Sequence, residues 1–371
     1  MRVPFFDLKV QDLELKKELV AAFKQVLEHG MLFLGPEVDE FEKRVANYIG
    51  TKYAVGVDSG SSALYLALKA VGIKRGDEII TSPLTWVISS NAIRSCGAVP
   101  VFADVGEDFN IDPSTIESLI TKKTRAILPI HYAGHVCDMY SICKIANDNG
   151  LQVVEDAAQA YGASLDGRLA GSFSIAAGLS MNPMKILGGY GEAGVVVTDD
   201  EIVYQQLKLY RHAGTTSDPK KLITNDCRVI SLNHKMDTIN AALILVAMGR
   251  LTERKRIREA IARRYDLELP NSVQHQIVRK NEVHGRYVYA VRIDKRDELK
   301  LFLEKNGVET KIMHEPLVCD APAYKNYRSE VPAARNILNS SLIVPSHEKL
   351  TSHQVGYVIE LFHRFESNNK N

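Results

Sequence analysis

Residues 78–105, EIITSPLTWVISSNAIRSCGAVPVFADV, carry the pattern that decides the fold. EIITSP reads as a short buried strand, β-branched and apolar, closed by Ser82 and Pro83. TWVISSNAIRSCG follows as a helix ending at Gly97, and AVPVFADV reads as the next strand. Further along, RAILPIHYAG, LQVVEDAAQ, SIAAGLSM and EAGVVVTDD repeat the theme of β-branched apolar runs that end in small or polar residues. Such alternation predicts an α/β domain of three layers, a mainly parallel sheet with helices on both faces. In sheets of this kind the functional residues gather at strand ends and in the loops that follow.

The character changes after about residue 240. MGRLTERKRIREAIARRYDLEL predicts one long amphipathic helix with a charged, solvated face. RYVYAVRI is an alternating strand, RDELKLFLEKNG a helix closed by glycine, and VETKIMHEP a further strand. LTSHQVGYVIELFHRF is a final helix with Thr351 as its N-cap, and the polar end SNNKN is expected to fray. The expected division is a large domain over residues 1–245, including an N-terminal arm, and a smaller α+β domain over residues 246–371.

The 46 basic and 45 acidic residues nearly cancel, which argues against nucleic acid or a membrane surface as a partner. No apolar run is long enough to span a bilayer, and the N-terminus lacks a basic leader followed by an apolar stretch. The five cysteines include no C-x-x-C pair, so neither a disulfide framework nor a metal cluster is expected, and the cytoplasm is the natural compartment.

Four segments carry chemistry. In VGVDSGSSALYLALKAV (55–71) a strand enters a turn of small residues and a helix starts at once. Free N–H groups at a helix start attract an anion, and Gly60 allows close approach, although the segment also suits an ordinary serine-capped helix. In VVEDAAQAYGA (153–163) a buried strand ends in Glu155 and Asp156, with Gln159 three residues beyond the aspartate. A carboxylate there can keep a pyridine nitrogen protonated, or simply face a helix dipole. In LSMNPMKILGGYGEAGVVVTDD (179–200) Lys185 lies in a Gly- and Pro-rich loop between two apolar strands. A lysine lodged so is a candidate imine-forming residue, because burial lowers the pKa of an amine and frees it as a nucleophile. Ser180, just before it, can offer a hydroxyl to a phosphate. The fourth segment, VISLNHKMDTINAALI (229–244), sets Asn233, His234 and Lys235 before an apolar helix. Pyridoxal 5′-phosphate chemistry, with the protonated ring as electron sink, explains the first three together.

In this order, and with MLFLGPEVDEFEKRVANYIG, LPIHYAGHVCDM and LIVPSHEKLTSHQVGYVI around them, the segments resemble the DegT/StrS nucleotide-sugar aminotransferases, pyridoxal-phosphate enzymes with the aspartate aminotransferase-like fold. The likeness spans nearly the whole chain. It implies that Lys185 is the Schiff-base lysine, that Asp156 faces the pyridine nitrogen and that Gln159 lies near the phenolic oxygen. It further implies that Gly60, Ser61 and Ser180 hold the phosphate, and that Trp86, the single tryptophan, stacks on the ring. Asn233 matches an asparagine that reaches the neighbouring subunit's cofactor, which implies a homodimer with shared active sites. The implied reaction moves an amino group from L-glutamate to a nucleotide-linked keto-sugar, in amino-sugar biosynthesis. The same likeness also admits a sugar dehydratase, a branch that carries histidine in place of the lysine, an aromatising enzyme, or a non-catalytic regulatory relative. The sequence departs from the family's usual residues at Tyr161, Ser231, Lys235 and Glu315, which bears on the sugar pocket, and Arg211, Arg228, Lys235 and His314 are further groups that can meet a diphosphate or a donor carboxylate.

Overall fold

The structure, a computed structural model, describes residues 1–218, 223–327 and 329–370. Seven short strands form one sheet: β1 (Tyr53–Val57), β2 (Glu78–Thr81), β3 (Val99–Phe102), β4 (Thr124–Leu128), β5 (Gln152–Asp156), β6 (Ala176–Ser180) and β7 (Gly194–Thr198). Their spatial order is β1-β7-β6-β5-β4-β2-β3. Every pairing is parallel except those of β7, which runs against both β1 and β6. The connection from β6 to β7 holds no helix, so the chain returns beside the strand it has just left rather than crossing over.

Successive side chains point to opposite faces. Val55, Ile79, Ala126, Leu128 and Val154 enter one core with Leu64, Ile93 and Leu207 from the helices Gly60–Ala70, Ile88–Ser95 and Glu201–Arg211. Ala54, Ile80, Ile127 and Val153 enter the other, with Phe41, Ile142 and Ile244 from the helices Pro36–Ile49, Met139–Asp148 and Thr238–Gly249. Burial on both faces is why these strands read as continuous apolar runs.

A third core joins Ile261, Tyr265, Leu299, Leu342 and Phe362 to Val3 of the N-terminal arm. Its sheet is antiparallel, with Tyr289–Arg292 between Gln274–His275 and Ser341–Val344. Thr351 caps the last helix as expected: its Oγ1 accepts from the Gln354 N–H at 3.1 Å, while Gln354 Oε1 accepts from the Thr351 N–H at 3.0 Å. Among the described residues no helix is long and apolar enough to cross a membrane.

Three expectations need correction. The charged helix starts at Leu251, because Met248 and Gly249 end the preceding helix and Arg250 breaks the geometry with φ −107° and ψ 4°. VETKIMHEP forms no strand, only isolated bridges from Val308 to Val3 and from Lys311 to Ile343. The N-terminal arm occupies the edge at Val308, and Pro316 has no N–H to continue a ladder. The polar tail is helical from Ser367 to Lys370, continuing the last helix, and Asn371 lies outside the described residues.

Arg258 braces the C-terminal part from within. Its buried guanidinium donates to Glu348 Oε2 at 2.8 Å and to the backbone carbonyls of Tyr287 and Arg286 at 2.9 and 3.3 Å. Removing one partner of such a network leaves the other uncompensated, so Arg258→Met is expected to lower stability by about 3 kcal/mol in urea denaturation. An unshifted midpoint would show that this network does not hold the 286–287 segment.

Candidate active site

The loops that leave β1, β2, β5 and β6 open on one edge of the sheet, against a cavity of about 510 Å³. Gly60, Ser61, Trp86, Asp156, Gln159, Ser180 and Lys185 all line it. Asn233 does not: it lies on an exposed loop, paired by an isolated bridge to His212.

The helix over Gly60–Ala70 starts at the cavity, with Ser59 as N-cap accepting from the Ser62 N–H at 3.2 Å. A Cβ on Gly60 would lie 2.6 Å from Ser180 Cβ, so only glycine lets the helix start abut the end of β6. Gly194 serves the same packing from β7, since a Cβ there would meet the Ser59 carbonyl oxygen at 2.3 Å. The result is a helix N-terminus and a serine hydroxyl side by side, a cradle for an anion.

The alternation of β5 separates its two terminal acids. Glu155 turns away from the cavity and is fully enclosed, accepting from the N–H groups of Gly171 and Phe173 at 2.7 and 2.8 Å and from Ser174 Oγ at 2.8 Å. His131 Nδ1 accepts from the Cys137 N–H, so its Nε2 carries the proton that meets Glu155 at 2.8 Å. Glu155 is therefore a structural anchor. Asp156 faces the cavity, where Ser89 Oγ donates to it at 2.7 Å and the Ala158 N–H at 3.1 Å. Burial pushes its carboxyl above the usual range, and these two donors, with Lys185 and His131 nearby, oppose that shift. A cation placed at this carboxylate would complete its environment.

Gln159 Oε1 accepts from the Ala133 N–H at 2.9 Å, which commits the oxygen and leaves the amide NH₂ as a donor. Lys185 sits in the turn its N–H closes on the Asn182 carbonyl at 2.8 Å, and its Nζ lies 4.3 Å from the ring centroid of Tyr287. Trp86 is 59% exposed and offers its ring at the cavity mouth.

Other candidates are spoken for. Arg211 is buried against Glu42 and the Gly56 carbonyl, and Arg228 pairs with Asp226. Tyr161 stacks on Tyr48, with centroids 5.1 Å apart, and does not line the cavity. His314 does line it, between Trp86 and Tyr132, at centroid distances of 5.9 and 5.8 Å. Ser89, Tyr287, Lys311, Phe5 and Phe6 also line it and were not singled out from the sequence. Ser89 was within reach, three residues after Trp86 in the turn that its N–H closes on the Trp86 carbonyl at 3.3 Å; the others come singly from distant segments without a motif. Among the described residues no group of three or more His, Cys, Asp or Glu side chains is disposed to hold a metal.

The sequence profile of the DegT/DnrJ/EryC1/StrS aminotransferase family matches residues 13–363. The chain belongs to this family. A Streptomyces venezuelae dTDP-3-amino-3,4,6-trideoxy-α-D-glucose transaminase is 35% identical over 366 residues, covering 97% of this chain and 95% of that one. A Geobacillus stearothermophilus relative described as a pleiotropic regulatory protein is also 35% identical, over 98% of this chain and 99% of its own. The crystal structure of S. venezuelae DesV in complex with a ketimine intermediate superposes with a TM-score of 0.93 at 34% identity, covering 98% of each chain.

His314 generates a prediction. Its Nδ1 is buried without a hydrogen-bond partner, and desolvation, with the Lys185 and Lys311 charges nearby, pushes the imidazole down to about 3. The unfolded imidazole titrates near 6.5, so below about that pH the unfolded chain takes up a proton that the folded one refuses. This contribution to stability is whole above pH ~6.5 and is lost as pH falls. Urea denaturation is therefore expected to show wild type losing stability relative to His314→Phe between pH 7.5 and 5.0. An equal gap at both pH values would mean that the folded imidazole protonates as readily as the unfolded one.

Proposed function

We propose that the protein is a pyridoxal 5′-phosphate-dependent aminotransferase that moves an amino group from L-glutamate to a nucleotide-linked keto-sugar in amino-sugar biosynthesis. The observation that carries this reading is the meeting of Lys185 and the buried carboxyl of Asp156 in one cavity, on the family's fold.

The residues fit the cofactor. Asp156 is a buried carboxyl that forms no ion pair among those found in the described residues, which suits it as the partner of a pyridinium nitrogen. The Gly60 and Ser61 backbone and the Ser180 hydroxyl suit its phosphate, the free NH₂ of Gln159 its ring oxygen, and the Trp86 ring its flat face. When bound, that group supplies the electron sink that lets a C–H bond beside the amine break.

The chain's own groups do the rest. The Lys185 amine would hold the cofactor at rest, and the arrival of the amino donor would leave that amine free. Once free, it would take the proton from the donor's α-carbon and later give it up again, base first and acid second. Asp156 would favour a protonated ring nitrogen in both halves of the reaction. The same steps in reverse order serve the keto-sugar. The S. venezuelae dTDP-sugar transaminase supports reading the acceptor as a nucleotide-linked sugar.

The active unit on this reading is a homodimer. Ile230 and Leu232, beside Asn233, are 94% and 72% exposed, and Phe33 is 61% exposed, apolar surface that a second copy would cover. Asn233 would then serve the neighbour's phosphate. All five cysteines are free, which suits a cytoplasmic enzyme.

The visible absorption spectrum with pyridoxal phosphate, before and after L-glutamate, tests this. Wild type is expected to show the band of lysine-bound cofactor and to lose it to the amine form on adding glutamate. Lys185→Ala is expected to lack that band and to lose more than ~1,000-fold in turnover, about 4 kcal/mol. A lysine-bound band that ignores glutamate would rule glutamate out as donor, and near-normal turnover of Lys185→Ala would overturn the mechanism.

A further inference from the structure

Lys311 lines the cavity on the side contributed by the C-terminal part and takes no part in the proton transfers. Its backbone is fixed: its N–H donates to the Ile343 carbonyl at 3.1 Å, and its carbonyl accepts from the Ile343 N–H at 2.8 Å. Its ammonium nitrogen lies 4.8 Å from the ring centroid of Phe5 and 6.0 Å from that of Phe6, and both rings also line the cavity.

The phenyl rings are themselves held. Val3 pairs with Val308, the Phe5 N–H donates to Glu309 Oε2 at 3.0 Å, and Arg2 donates to Glu309 Oε1 at 3.0 Å. The N-terminal arm is thus a strap laid along residues 308–311, and it brings two aromatic faces to one ammonium group. Glu309 is the nearest acid in sequence, but Arg2 and the Phe5 N–H engage both its oxygens. None of the ion pairs found among the described residues includes Lys311. Glu192, also in the lining, accepts from Asn182 Nδ2 at 2.6 Å.

Aromatic faces orient a cation but accept none of its three N–H bonds in the way an oxygen does. Glu309 feels the Lys311 charge and Glu315 also lines the cavity, but neither forms an ion pair with Lys311, so this cation, aimed into a substrate cavity, is a site for an anion. Lys185 is the cavity's other lysine, and it is committed to the cofactor. His314, between the two lysines, is held neutral and leaves the role to Lys311.

We propose that Lys311, oriented by Phe5 and Phe6, binds a negatively charged oxygen group of the substrate, a carboxylate or a phosphate. This deepens the aminotransferase reading and rests on it. Two sources carry such a group: the amino-acid donor, and the acceptor with its diphosphate or a sugar acid.

The test separates the half-reactions on the holoenzyme. Conversion by L-glutamate is followed by absorbance. Binding of UDP-glucuronate, UDP-glucose and dTDP-glucose to the amine form is followed by calorimetry. Lys311→Met is expected to weaken one arm by about 10- to 100-fold, as loss of a hydrogen bond to a charged group does. The maximal rate of glutamate conversion should change by less than about threefold, and Lys311→Arg should recover most of the loss because it keeps the charge. A higher half-saturating glutamate concentration assigns the donor carboxylate. Weaker binding of all the nucleotide sugars assigns the diphosphate, and weaker binding of UDP-glucuronate alone assigns a sugar acid. Unchanged values in every arm, or a fall in maximal rate alone, overturn the proposal. A wild type that never forms the lysine-bound band defeats the aminotransferase reading itself, before Lys311 is at issue.

Discussion

A carboxyl group buried at the end of the middle strand is the constraint on which the site depends. Asp156 ends β5, with three strands on either side, and the sheet that buries it also gives it neighbours. Ser89 and the Ala158 N–H hold its charged form against the cost of desolvation. They reach it because the loops after β2 and β5 open on the same edge. The parallel arrangement does this directly: strands that run the same way end on the same side, so helix starts, hydroxyls and carboxylates converge without long excursions.

The large sheet supplies only half of the cavity. The opposite wall comes from Tyr287, from residues 311–315 and from the N-terminal Phe5 and Phe6. That wall has its own internal bracing. Arg258 grips the carbonyls of Arg286 and Tyr287, and the pairing of Lys311 with Ile343 sets the stretch that ends at Glu315. Tyr287 then meets Lys185 across the gap, so the lysine's position depends on both walls.

How much of this was legible in the sequence follows from how the residues are distributed. The sheet edge was readable because its groups come in short windows with a physical signature: small residues at a helix start, acids at a strand end, a lysine in a Gly-rich loop. Asp156, Gln159, Ser180, Lys185 and Trp86 line one cavity. Glu155 and Asp156 were alike by position and only the resemblance favoured Asp156; the pleat sends one to a histidine and the other to the cavity. The facing wall was not readable, because Phe5, Tyr287 and Lys311 are ordinary residues that tertiary packing alone assembles. The VETKIMHEP segment misled for a related reason: its apolar pattern suits a strand, but a strand needs neighbours, and the arm had taken the edge at Val308.

The two walls are also two addresses in the chain. The groups on the sheet edge fall between Gly60 and Lys185, whereas the facing wall is encoded by the first few residues and by those after Tyr287. Drift in the outer segments can reshape what the cavity admits while the inner segment, and the chemistry it houses, stays as it was. The strap sets a condition on such change. Because Val3 and Phe5 are laid against Val308 and Glu309, the opening residues and the last third of the chain must diverge as a matched set. A chimera that exchanged only one of them would mismatch its own doorway.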